Sequence, residues 1–256
     1  MRPISAVIRP ILDFSITITL WFYYLAGFCF FFSPFYLLAS FFPSRREAIF
    51  QKLNCLHHRL FFRLLRILAP GVKWRISADV SAIRSSIIIA NHLSFLDPIL
   101  FVSLFEKQKT IVKSVYFKIP VFGWILKNSG YISPLKETRF AHNTIDQIRN
   151  LSEYLSGGGN LFVFPEGTRS RNGRIGPLDK GAFRLARLCD APIRVVVIRN
   201  TGKLYPPDRF LFNTHMHDSI DLTLEGSLEA SHDSKSDSVP RLIAKAKIMM
   251  EQEVNP

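Results

Sequence analysis

Two short polar clusters hold the residues able to do chemistry. In the first, Asn91-His92-Leu93-Ser94-Phe95-Leu96-Asp97, an imidazole and a carboxylate stand five positions apart, directly after the apolar run Ile87-Ile88-Ile89-Ala90. An imidazole with its ordinary pKa of about 6.5 can take a proton from a hydroxyl near neutrality. It does so better when a carboxylate holds its other ring nitrogen and stabilises the imidazolium that forms. A turn between His92 and Asp97 would bring them together. Asp97-Pro98 also reads as a helix start, with Asp at the N-cap and Pro at the first helical position. The second cluster, Phe164-Pro165-Glu166-Gly167-Thr168-Arg169-Ser170, closes the apolar run Leu161 to Phe164. Gly167 permits a backbone conformation other residues resist, and Arg169 offers a planar fork to a phosphate. A β-turn with a surface Glu–Arg pair is the structural alternative there. Ser94 lacks the sharp G-x-S-x-G turn of a covalent nucleophile. The pattern therefore suits direct attack by a substrate hydroxyl, with His92 as base.

The elements that must position these residues alternate along the chain. Strands are expected at Ile87–Ala90, Thr110–Val112, Tyr131–Ser133, Leu161–Phe164 and Ile193–Ile198. Helices are expected at Asp97–Glu106, Val121–Lys127, Glu137–Leu155 and Asp179–Leu188, with Gly157-Gly158-Gly159 closing the third. This order predicts an α/β fold with a mainly parallel sheet flanked by helices. Ligands bind such sheets outside the carboxyl ends of the strands, where both polar clusters lie. Beyond Asn200 the pattern weakens to an edge strand at Ser219–Leu224, a polar stretch from Gly226 to Pro240 and a terminal helix at Arg241–Val254. The domain boundaries read as 1–70, 71–225 and 226–256.

The N-terminal region has a different character. No residue from Phe14 to Ser44 is charged, a length beyond the roughly 20 residues that cross a bilayer as a helix. The stretch is too long for a signal peptide and lacks a cleavage pattern, so it reads as a retained, membrane-embedded helical anchor. Pro34 should kink or end the first helix, leaving Phe14–Ser33 to span alone or the chain to dip in and return on one side. The basic flanks Arg2, Arg9, Arg45 and Arg46 suit the same-side hairpin. On a helix over 45–69, Arg45, Lys52, Arg59, Arg63 and Arg66 fall in one narrow stripe against a largely apolar circumference, as on an interfacial helix. Net charge is +13, and residues 200–256 carry six basic against nine acidic side chains, so the rest of the chain holds +16. The uncharged Phe-rich segment makes membrane phosphate, not nucleic acid, the partner of that charge. Cys29, Cys55 and Cys189 form no pairing framework, which fits a reducing cytosolic face. The pairs His57-His58 and His215-x-His217 do not make a metal site.

Taken together, the two clusters resemble the lysophospholipid acyltransferase family, whose bacterial type is the 1-acylglycerol-3-phosphate acyltransferase. Asn91 to Asp97 is similar to the family's first block, Phe164 to Ser170 matches its third, and Ala191-Pro192-Ile193 looks like its fourth. The resemblance covers roughly residues 70–200, and the N-terminal helices resemble the family's anchor. The second block departs from the pattern. Gly130-Tyr131-Ile132-Ser133-Pro134-Leu135-Lys136 keeps the glycine but has Lys136 where the family has arginine, which keeps a charge and loses the bidentate fork. Arg139 lies three residues on. The resemblance implies acyl transfer from an acyl-CoA or acyl carrier protein thioester to the free hydroxyl of a lysophospholipid. His92 would be the base and Asp97 its orienter. Glu166, Gly167, Thr168 and Arg169, with Gly130 and Lys136, would hold the acceptor. No bound cofactor or metal is implied. The place implied is a bacterial inner membrane, with the catalytic domain facing the cytoplasm. Other acceptors (lyso-ornithine lipid, glycerol-3-phosphate, another lysophospholipid) and a non-catalytic lipid-binding role on the same fold stand as alternatives.

Overall fold

The computed structural model describes residues 4–134, 141–230 and 238–254. In chain order its elements begin with α1 (Ile4–Phe22), a π-helical segment (Tyr23–Phe32), α2 (Ser33–Ala39) and α3 (Arg46–Leu68). Next come β1 (Trp74–Ile76), α4 (Ala78–Ala82), β2 (Ser86–Ala90), α5 (Leu96–Leu104) and β3 (Gln108–Thr110). A 3-10 turn (Ser114–Lys118), α6 (Phe122–Asn128), α7 (Ala141–Ser156) and β4 (Asn160–Val163) follow. The chain finishes with α8 (Gly181–Leu188), β5 (Ile193–Arg199), α9 (Thr201–Leu204), β6 (Ile220–Leu228) and α10 (Val239–Val254). These elements divide into two compact units. The first comprises Met1–Ile76, Leu93–Glu106 and Ile198–Leu222, and the second Ser77–His92, Lys107–Val197 and Thr223–Pro256.

The second unit holds four parallel strands in the order β5-β2-β4-β3. Parallel strands covered on both faces read as continuous apolar runs rather than alternations, and every residue of β2 and of β4 is buried. On one face Ile87, Ile89, Leu161, Val163, Ile193, Val195 and Val197 pack with Leu151 and Leu155 of α7, Phe183 and Ala186 of α8, and Leu242 and Ala246 of α10. Asn160 fixes the start of this sheet. Its side-chain amide donates to the Ile83 carbonyl at 2.8 Å and its Oδ1 accepts from the Ser86 amide at 3.3 Å. Ile89 pairs with Val163, so His92 and Glu166 each stand three residues past that matched pair. Two polar motifs at the ends of neighbouring strands thereby emerge side by side.

In the first unit the N-terminal helix does not break at Pro34. Helix runs without interruption over Ile8–Ala39, 32 residues long and apolar enough to cross a membrane by length and composition. The Pro34 discontinuity is absorbed by π winding, in which Ser33 donates to the Phe28 carbonyl five residues back and the ladder shifts register where the proline would clash. The reversal comes after Ala39, and α3 returns antiparallel to the helix. Tyr36 Oη donates to Asn54 Oδ1 at 2.6 Å and Tyr23 Oη to the His57 carbonyl at 3.0 Å. The buried His57 ring stacks on Tyr23 at 5.3 Å and meets Phe32 edge-on at 4.7 Å. Burial, reinforced by neighbouring His58, lowers its pKa to about 3.

Part of the apolar circumference expected to face lipid on α3 is instead inside: Phe50, Phe61, Phe62 and Leu65 are buried. The basic stripe is also thinned. Lys52, Arg63 and Arg66 are exposed, whereas Arg59 turns onto α5, its Nε donating to the Ser103 carbonyl at 2.8 Å. Asp13, the last charged residue before the apolar run, accepts the Thr214 amide at 3.0 Å and fastens the 210–217 loop to α1.

Several boundaries differ from the expectations. The strand placed at Thr110–Val112 is Gln108–Thr110, and Tyr131–Ser133 contributes a single bridge, Ile111 to Ile132. β6 has a strand on either side rather than lying at an edge. It also runs through Gly226 to Leu228, into the stretch read as polar linker. β1, pairing parallel with β6, is only three residues long and shows no period in the sequence.

Candidate active site

β2 ends at Ala90 and β4 at Val163, and the residues just beyond them meet. The second polar cluster opens as a tight turn, with Pro165 in its second position and the Gly167 amide donating to the Phe164 carbonyl at 3.1 Å. A proline there presets the backbone and a glycine suits the fourth position. Gly167 itself has φ +66°, a left-handed conformation that costs other residues about 1–2 kcal/mol. Leaving this turn, the chain grips His92 from three directions. Glu166 Oε1 accepts the His92 amide at 3.0 Å, the Ser170 amide donates to the His92 carbonyl at 2.7 Å, and the Phe164 ring stacks on the imidazole at 4.4 Å. The histidine is fixed in main chain and ring, and it remains partly accessible.

Glu166 does two jobs with one carboxylate. Its second oxygen, Oε2, accepts the Gly176 amide at 2.9 Å. That bond draws residues 170–176 back across the strand end, around a cleft of about 280 Å³ lined by Glu166, Thr168, Ser170, Arg171, Arg174 and Gly176, among others. The loop is braced internally, with Ser170 Oγ donating to the Arg174 carbonyl at 2.9 Å and the Arg174 amide to Asn172 Oδ1 at 3.1 Å. Such a braced concavity beside guanidinium groups is suited to a phosphate. Arg169 is exposed and is not among the residues lining this cleft, whereas Arg171 and Arg174 are. Neither of those two arginines was singled out in the sequence. The signal that could have found them is the basic, turn-rich run Arg169-Ser170-Arg171-Asn172-Gly173-Arg174 following directly on the motif.

Asp97 lies in the first unit, and its placement differs from the N-cap expectation. α5 begins at Leu96 with Phe95 at the N-cap, so Asp97 is already within the first turn. Its carboxylate reaches backward, where Oδ2 accepts the amides of Leu93 and Ser94 at 2.6 and 2.7 Å. The fully buried carboxylate thus folds the loop that follows His92 into one turn. A carboxylate near a helix start is favoured by the exposed amides there, and here those amides belong to the motif itself. Ser94 is no nucleophile in this arrangement. It is buried, and its Oγ donates to the Tyr205 carbonyl at 2.8 Å.

Gly130 closes α6. The Gly130 amide donates to Lys127 and that of Tyr131 to Leu126, at 3.1 and 3.0 Å, the double bond pattern that ends a helix through a left-handed residue. Its φ is +70°, which accounts for glycine at this position. Lys136 and Arg139 lie outside the described residues.

Comparison with known proteins places these features in a family. Residues 72–199 match the family model described as Acyltransferase. The chain is 39% identical over 118 residues to a chloroplastic 1-acyl-sn-glycerol-3-phosphate acyltransferase of Brassica napus, covering 46% of this chain and 34% of that protein. It is 28% identical over 216 residues to the 1-acyl-sn-glycerol-3-phosphate acyltransferase of Salmonella typhimurium, covering 81% of this chain and 84% of that one. The crystal structure of the 1-acyl-sn-glycerophosphate acyltransferase PlsC from Thermotoga maritima shares the fold, with a TM-score of 0.70 at 23% identity over 96% of each chain. The family match spans half of the chain and takes in both polar clusters, from the strand before His92 to the strand after Arg174. The chain belongs to the Acyltransferase family.

Proposed function

We propose that this protein is a membrane-bound O-acyltransferase that moves a fatty acyl group from a thioester to the free hydroxyl of a lysophospholipid, 1-acylglycerol-3-phosphate, giving phosphatidate. The observation that carries this reading is the grip of the second polar cluster on His92 through Glu166, Ser170 and Phe164. A base that must meet a hydroxyl on one face gains from being fixed in advance, because its geometry is then not reorganised during the reaction. His92 takes the hydroxyl proton as the alcohol oxygen attacks the thioester carbonyl. The tetrahedral intermediate collapses with cleavage of the carbon–sulfur bond, and His92 returns the proton to the departing thiolate. Asp97 orients His92 and stabilises the imidazolium. Glu166 acts as a positioning residue, and Arg169, Arg171 and Arg174, with Lys136 from the second block, neutralise the acceptor phosphate. Gly167, Thr168 and Gly130 shape the backbone around it.

Membrane association is the companion proposal. Phe22, Phe30 and Phe31 are each at least 70% exposed on a 32-residue apolar helix, far more apolar surface than a protein in water presents. Acceptor and product would then remain in the bilayer, while an acyl-CoA or acyl carrier protein thioester arrives from the cytoplasmic side of a bacterial inner membrane. Lys136 supports a second acceptor reading, since a point charge in place of a guanidinium fork suits a headgroup other than a terminal phosphate. A radiolabelled acyl-transfer screen of purified protein against a panel of lyso-lipids, with both thioester donors, tests the assignment. Labelled phosphatidate from 1-acylglycerol-3-phosphate is the expected product. Label appearing only on lyso-ornithine lipid or glycerol-3-phosphate would transfer the assignment to that acceptor, and no labelled product from any acceptor would overturn it.

A further inference from the structure

The segment from the 3-10 turn into α6 presents an apolar surface that the catalytic reading does not use. Val115, Tyr116, Ile119, Val121 and Phe122 are all between 41 and 60% exposed, within eight consecutive residues of the second unit. Their display is built rather than incidental. Val121 has φ +63° and ψ −58°, and the Phe122 amide donates to the Pro120 carbonyl at 2.6 Å. This is the strained form of γ-turn, centred on a β-branched residue for which positive φ is a true outlier. The surrounding backbone enforces it. The Gly123 amide donates to the Ile119 carbonyl at 2.7 Å, and Gly123 lies so close to the Phe117 main chain that a Cβ would sit 2.3 Å from its carbonyl oxygen. Strain held in place by its surroundings marks sites where the held conformation has a use. Here the held conformation turns Val121 and Phe122 outward.

The charge around this knuckle identifies what it meets. From Lys107 to Lys136 the sequence contains six lysines and no acidic residue, and Lys113, Lys118 and Lys127 beside the apolar side chains are exposed. Aromatic and aliphatic tips ringed by lysine suit the headgroup boundary of an anionic bilayer, with side chains among acyl chains and ammonium groups on phosphates. We infer that residues 115–122 form a bilayer-docking knuckle, separate in sequence from the N-terminal helix, whose ligand is an anionic phospholipid surface. The inference rests on the membrane reading given above. By holding the second unit to the surface it would keep the unit that carries His92 close to membrane-borne acceptor.

Depth measurement by spin labelling of the full-length protein tests this. Nitroxides are placed one per protein, at Val115→Cys or Ile119→Cys in the knuckle, at Phe22→Cys on the N-terminal helix or at exposed Glu153→Cys as a reference, all in a Cys29→Ser background. Collision rates with oxygen and with a water-soluble nickel chelate are compared in mixed phosphatidylcholine–phosphatidylglycerol vesicles. The knuckle labels should show oxygen-to-nickel ratios several-fold above that at position 153, and the combined Lys113→Gln, Lys118→Gln and Lys127→Gln variant should lower them. Knuckle labels as nickel-accessible as position 153, with the position 22 label still lipid-exposed, would overturn the knuckle and leave the anchor intact. Nickel access at all three sites would overturn the membrane reading as well. Dipolar broadening between knuckle labels would mean that a second copy covers the patch, and would equally overturn the proposal.

Discussion

Glu166 is the residue through which the second polar cluster acts on the first. Its two oxygens accept the amides of His92 and Gly176, so it joins His92 to the loop that lines the cleft. Glu166→Gln leaves one oxygen and turns an NH2 group toward an amide that has nothing to donate to. Leaving a donor unsatisfied costs about 1–3 kcal/mol, toward the low end here because the side chain is partly exposed. We expect kcat to fall with little change in KM for the acceptor, read by steady-state kinetics alongside a thermal melt; an unchanged kcat would remove the positioning role. Arg169→Ala should do the opposite, raising the apparent KM for a phosphate-bearing acceptor roughly tenfold at nearly constant kcat. An unchanged KM across acceptors would remove Arg169 from the binding site. His92 and Asp97 were a weak signal as a spacing alone, and gained weight only beside the second cluster. Glu166 was not legible as a clamp, because a carboxylate next to Gly-Thr-Arg reads equally well as a ligand contact. Only the register of β2 on β4 shows which amide it meets.

Among the elements, the buried strands were the easiest to read. Ile87–Ala90 and Leu161–Phe164 are apolar without interruption, and Ile193–Ile198 is broken only by Arg194, as expected of buried parallel strands. β1 and β3 are three residues each, too short for any period to register. Pro34 misled for a physical reason: a proline ends an α-helical ladder, but π winding ahead of it lets the helix continue. The pairing of α3 with the N-terminal helix yields a pH prediction. His57 has a folded-state pKa of about 3 against 6.5 when free, so the folded protein keeps it neutral where the unfolded chain binds a proton. Its burial is therefore without pH penalty above 6.5, and stability falls as pH drops from there toward 3. The loss is at most about 1.4 kcal/mol per pH unit from this group. Thermal midpoints of purified protein between neutral pH and about pH 5 should fall less steeply for His57→Phe than for wild type. Identical slopes would show that His57 does not titrate between the two states.

At the scale of the whole molecule, the sequence separates an uncharged Phe-rich beginning from a basic α/β body, and the structure preserves that contrast in an exposed apolar helix and a buried parallel sheet. The acceptor is the property least legible, because Lys136 stands where the resemblance leads one to expect arginine. Lys136→Arg should raise turnover of 1-acylglycerol-3-phosphate relative to other lyso-lipids in a competition assay, and no change in acceptor ranking would make that substitution neutral. The central claim is that His92, held by Glu166, Ser170 and Phe164, is the base that activates the acceptor hydroxyl. Its most direct test is the rate of radiolabelled phosphatidate formation from an acyl thioester and 1-acylglycerol-3-phosphate, measured for wild type and for His92→Ala at matched expression, fold and membrane recovery. The wild type should form product and His92→Ala none above background; turnover retained in the variant would contradict the mechanism.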